Sequence, residues 1–111
     1  MELAFESKYL RDICEDMSKA RFVLGDTVAE ALTHRLADLH AAISISDLLV
    51  GNCRIEGIGG AQRAYIDLPH DHCIILTANH PKQPVTLQGD LDWNSVTRIK
   101  IILIGKNHEK K

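Results

Sequence analysis

Apolar positions recur every three or four residues in the first half of the chain and every two residues in the second half. Leu10, Ile13, Cys14 and Met17 hold helical spacing, and Gly25 is a stop for the helix they predict. Thr27-Val28-Ala29-Glu30 fits a capping box, in which the Thr hydroxyl and the Glu carboxylate each accept a backbone N–H. Val28, Ala31, Leu32, Leu36, Leu39 and Ile43 then trace one stripe, interrupted only by Arg35. Two antiparallel helices joined near Gly25 follow from this pattern.

Residues 44–51 read as a connector with one helical turn. Beyond Gly51 the two-residue period predicts strands near 53–56, 63–68, 72–78 and 96–104. Pro69-His70-Asp71 makes a hairpin turn, residues 79–84 form a loop, and residues 90–94 turn into the last strand. Helices followed by strands give an α+β fold in which the helices cover one face of the sheet. Alternation points Ile99, Ile101 and Leu103 at the helices, and Val96, Arg98, Lys100, Ile102 and Ile104 away from them. Ala64, Ile66 and Leu68 form the apolar face of their strand, and Arg63, Tyr65 and Asp67 the opposite one. With these strands as neighbours, one face carries Arg63, Tyr65, Arg98 and Lys100. Cations beside an aromatic ring suit an RNA backbone and stacked bases. The same alternation also describes a sheet with one wet face and no ligand.

The 111 residues fit a single domain, 1–111, and the 45% apolar content excludes a disordered chain. No run is long enough for a membrane span, and the first residues lack the plan of a signal peptide, so no membrane partner is expected. The net charge of −2 hides an asymmetry. Residues 1–50 hold nine acids and five bases, whereas residues 51–111 hold six acids and eight bases. After Val96 come Arg98, Lys100, Lys106, Lys110 and Lys111 against Glu109 alone, an end that suits phosphates or simply water. Cys14, Cys53 and Cys73 are odd in number and lack C-x-x-C spacing, so reduced packing residues are expected.

Several chemistries find little support. Gly57-Ile58-Gly59-Gly60 lacks the lysine of a phosphate loop and opens no helix. His70-Asp71-His72-Cys73 offers two imidazoles and a thiol, but zinc needs three or four converging ligands, and beyond His80 nothing supplies them. No metal and no other cofactor is expected. No nucleophile elbow is present, and Asp90 and Asp92 sit in a turn.

Five stretches, taken in order, carry a likeness to a known family. They are residues 5–16, Leu24-Gly25 with residues 29–39, residues 43–51 with Asp47-Leu48, residues 64–68, and residues 90–102. This series resembles the RelE/ParE superfamily of toxins, and within it the HigB-type, or plasmid maintenance killer protein, branch. In that branch a short strand leads into a basic helix where this chain has Phe5 to Asp16. The resemblance implies a RelE-like α+β fold, with two N-terminal antiparallel helices packed on one face of a small, mainly antiparallel sheet. It implies a cytoplasmic toxin of a type II toxin–antitoxin pair, commonly a ribosome-dependent mRNA interferase. The partner implied is a HigA-like helix-turn-helix antitoxin, and operator DNA would be met only through the complex.

Such an endoribonuclease directs the RNA 2′-OH at the adjacent phosphorus without a metal. A base takes the 2′-OH proton, cations hold the developing charge, and an acid protonates the leaving oxygen. Where the family commonly ends in Asp-Tyr-His, this chain has Lys106-Asn107-His108, so His108 carries over while the acid and the phenol do not. Arg54 stands in place of a family histidine, Gly57 in place of a lysine, and Cys73 in place of a basic residue. The resemblance thus implies His108, Arg54 and Lys106 as the catalytic set, with Arg63, Tyr65, Arg98, Lys100 and His72 on the RNA. Two rivals stand beside it: a ParE-like gyrase inhibitor without nuclease chemistry, and a catalytically silent module that keeps only the antitoxin interface.

Overall fold

The computed structural model describes residues 1–106. Its elements are β1 (Glu2–Phe5), α1 (Lys8–Glu15), α2 (Met17–Leu24), α3 (Asp26–Ala41), β2 (Arg54–Glu56), β3 (Arg63–Leu68), β4 (His72–Ala78) and β5 (Arg98–Lys106). Where the apolar spacing predicted one helix before Gly25, there are two. Asp16 divides them: its amide closes α1 on Asp12 O at 2.9 Å, and its carboxylate caps α2 by accepting from Ser18 N at 3.0 Å and Lys19 N at 3.3 Å. The stripe runs on across the break, with Leu10 and Ile13 buried and Cys14 and Met17 half-buried, which is why spacing alone hid it.

Gly25, at φ +85°, turns the chain from α2 into α3, and the two helices pack together. The capping box predicted at Thr27 does not form. The glycine lets α3 begin at Asp26, with Ala29 N bonded to Gly25 O at 3.0 Å, so Thr27 falls inside the first turn. Val28, Leu32, Leu36 and Leu39 are buried as the stripe requires, but Ile43 is 77% exposed. The helix ends before it, because Asp47 accepts the amides of Ile43 at 2.9 Å and Ser44 at 3.4 Å and bends the chain into a 3-10 turn over Ile45–Asp47.

The sheet runs β1-β5-β4-β3-β2. β1 lies parallel to β5, and every other pair is antiparallel. The hairpin at Pro69-His70-Asp71 forms as predicted, with His70 and Asp71 both left-handed at φ 56° and 59°, the twist that two-residue hairpins favour. All three helices contribute to a core on one face, where Leu10, Ile13, Ala20, Val28, Leu32 and Leu39 meet Ala64, Ile66, Leu68, Ile74, Leu76, Ile99, Ile101 and Ile104. Gly51 anchors the connector beneath β3. Its carbonyl accepts from Asp67 N at 2.6 Å, its φ is +99°, and a Cβ there would stand 2.6 Å from Ile66 Cγ2.

Two predicted orientations are reversed in β5. Ile75 pairs with Leu103 and Leu76 with Ile101, so Ile102 is the extra residue of a β-bulge. The bulge puts Ile102 and Leu103 on the same outer side and returns Ile104 to the helix-side core. Alternation had placed Leu103 inward and Ile104 outward, and one inserted residue exchanges them. Val96 is also buried in the helix-side core, because it precedes the strand and follows a 3-10 turn over Trp93–Ser95.

Candidate nucleic-acid interface

Helices cover only one side of the sheet, and the other side holds most of the residues predicted to meet RNA. Register places Arg54 opposite Tyr65, Glu56 opposite Arg63, Tyr65 opposite Ile75, and Thr77 opposite Lys100. A small second cluster of Tyr65, Cys73 and Ile75 forms the floor, with Ile102 and Leu103 against it. Arg63 and Lys100 rim a hollow of about 460 Å³ whose other walls are Glu6, Ile75, Thr77, Ile102 and Leu103. Arg98 follows on the same side, two residues before Lys100. The structure therefore brings Arg54, Arg63, Tyr65, Arg98 and Lys100 onto one face.

Carboxylates accompany these cations. Arg98 meets Glu2 at 2.7 Å and Lys100 meets Glu6 at 3.1 Å. Arg54 holds Asp67 at 2.8 Å and Glu56 at 3.6 Å, and its guanidinium stands 6.0 Å from the centre of the Tyr65 ring. The hydrogen bond that Arg54 donates to Asp67 holds the Arg54 pKa above its ordinary value, so this cation stays charged. Arg63 is in no salt bridge among the described residues. Sequence reasoning set Asp67 on this face beside Arg63 and Tyr65 but missed Glu2, Glu6 and Glu56. Glu2 opens β1 and Glu6 follows it, and no local pattern reveals the place of β1 beside β5. Glu56 could have been found, since it lies in a strand that the two-residue period marks.

Of the predicted catalytic set, Arg54 lies on this face and Lys106 on the other. His72 pairs with Lys106 and with Leu68, which is buried in the helix-side core, so register sets His72 and Lys106 on the side away from Arg54. His72 Nδ1 lies 2.8 Å from the carbonyl oxygen of His70. His108 lies outside the described residues, as do Lys110 and Lys111.

Burial pushes the Cys14 thiol up to about 12, with Glu15 adding to the effect, and burial also raises Cys53. Both are poor nucleophiles near neutral pH. Among the described residues no cluster of three or more metal-ligating side chains occurs, and no helix is long and apolar enough to cross a membrane. No family model, curated protein or solved structure matches this chain.

Proposed function

We propose that the chain is the toxin of a type II toxin–antitoxin pair, of the RelE/ParE kind and HigB-type branch, and that it engages RNA with the open face of its sheet. One observation carries this reading: Arg63 and Lys100 rim a hollow on the uncovered face, over an apolar floor that can receive a base. A phosphate can replace Glu6 on Lys100 or Glu2 on Arg98 at small cost, because exposed ion pairs contribute only about 0–1 kcal/mol. The activity proposed is metal-independent cleavage of translated mRNA on the ribosome, with a HigA-like antitoxin as the neutralising partner. Operator DNA is met only within that complex, and the compartment is the cytoplasm.

A second reading has an observation of its own. Arg54 and Lys106 lie on opposite sides of the sheet, and Arg54 is bound by two carboxylates, which favours a toxin that binds without cutting. A gyrase inhibitor and a silent antitoxin-binding module are its two forms.

Primer extension on cellular mRNAs after brief induced expression tests both readings, run beside Arg63→Ala and His108→Ala. Cuts inside translated frames that vanish in both variants support the interferase and tie its action to the open face. Arrested growth with intact mRNA removes the nuclease reading in favour of a non-cutting toxin. Unimpaired growth leaves only the silent module.

A further inference from the structure

His80 holds the neck of the long excursion between β4 and β5. Its ring Nε2 accepts the main-chain N–H of Thr97 at 3.1 Å and that of Arg98 at 3.3 Å. An imidazole nitrogen that accepts a hydrogen bond carries no proton, so the ring is neutral with its proton on Nδ1. Other bonds surround this pair. Asn79 N donates to Arg98 O at 2.8 Å, Gln83 Nε2 donates to Ala78 O at 2.9 Å, and His80 N donates to Gln83 Oε1 at 3.2 Å. Thr97 O accepts from Glu2 N at 2.9 Å, so the residue held by His80 also holds β1.

We propose that His80 is a proton-sensitive latch, which fastens the 79–97 segment to the start of β5 and opens on acidification. A proton on Nε2 turns the acceptor into a donor that faces two donors, and both bonds are lost together. The ring borders a cavity of about 830 Å³ whose charged and titratable lining is Glu2, His40 and Arg98, with the nitrogen of Met1. Glu2 is the one carboxylate in that lining, and Arg98 already holds it at 2.7 Å. On the latch's own segment Lys82 is exposed and adds positive charge, while the segment's two acids are engaged elsewhere, Asp90 with Gly59 N at 3.1 Å and Asp92 with Ser95 Oγ at 2.9 Å. Among the described residues an imidazolium therefore gains no free counter-charge to offset the two lost bonds. Opening the neck loosens β1 where it meets Thr97 and the part of the segment next to His80, while Leu91, Trp93 and Val96 stay buried in the core.

Amide hydrogen exchange of the full chain tests the latch. As the pH is lowered from about 7.5 to about 5, protection of the Thr97 and Arg98 amides is expected to fall about tenfold or more. The amides of Ile66 and Ile74 are expected to keep theirs. His80→Gln sets an amide oxygen near the place of Nε2 and does not titrate, so it is expected to hold both amides over the same range. Unchanged protection in the unaltered chain, or an equal fall in His80→Gln, overturns the proposal. If His80→Gln fails to fold, ring-nitrogen NMR of the unaltered chain decides. A bare Nε2 with protonated Nδ1 near neutral pH supports the latch, and a proton on Nε2 overturns it.

Discussion

Under the helices Ile66, Ile74, Ile99 and Ile101 are fully buried; on the open side Tyr65, Cys73 and Ile75 are nearly as buried, with no helix above them among the described residues. The two faces of one sheet thus reach burial by different means. The helix side gets it from a second layer packed at the density of a core. The open side gets it from its own neighbours, with Ile102 and Leu103 against the floor and Arg54 over Tyr65. Apolar burial without a covering layer leaves the charged rim in water and free to exchange partners. Stability is therefore concentrated on one face, and the other carries the charged rim on which the proposed function rests.

The sharpest way to break this comparison is to truncate one side chain on each face of β5. Ile101→Ala, in the helix-side core, is expected to destabilise by about 2–5 kcal/mol in denaturant unfolding. Leu103→Ala, half-buried on the open side, is expected to cost only about 1 kcal/mol. Equal costs would erase the distinction, and reversed costs would mean that the bulge at Ile102 is misplaced. Gly51→Ala probes the helix side from beneath. With φ at +99° and Ile66 Cγ2 in the way, it is expected to cost about 2 kcal/mol, seen as a lower melting temperature. Asp16→Ala removes the cap between α1 and α2 and is expected to cost about 1 kcal/mol, whereas Asp16→Asn is expected to keep most of it.

A pH series sharpens the same contrast. The Cys14 thiol, raised from 9.0 to about 12 by burial, stays neutral in the folded chain while the unfolded chain ionises. Its contribution is full below pH 9.0 and is lost as pH rises toward about 12. Unfolding measured across that window is expected to show a smaller loss of stability in Cys14→Ala. Smallest of all is Arg98→Ala on the open face. Its exposed pair with Glu2 is expected to change stability by less than about 0.5 kcal/mol, while any RNA binding loses salt dependence.

What was legible in the sequence follows the range of the interactions involved. The strands at 63–68 and 72–78, the turn between them and the α3 stripe came from local patterns, and local forces make them. The break at Asp16 was hidden because an aspartate at the end of one helix also starts the next without disturbing the apolar spacing. Leu103 and Ile104 were exchanged because a bulge adds one residue that no composition signals. Arg63, Arg98 and Lys100 of the open face could be named from alternation, yet Glu2 and Glu6 could not be set against Arg98 and Lys100 until β1 was seen beside β5. The charge of a surface depends on which strands are neighbours, and that is a long-range fact.

The parallel pairing of Glu2–Phe5 with residues 98–101 also orders events during synthesis. β1 is made before β5 and has no partner until the residues between them have been made. The helices and the β3–β4 hairpin can gather meanwhile from near-neighbour contacts, which close quickly. Joining β1 to β5 closes the longest loop in the molecule, so it comes late. Arg98 and Lys100 lie on that last-made strand. The charged rim is therefore created in the step that completes the sheet, and a nascent chain still short of it has no such surface to present.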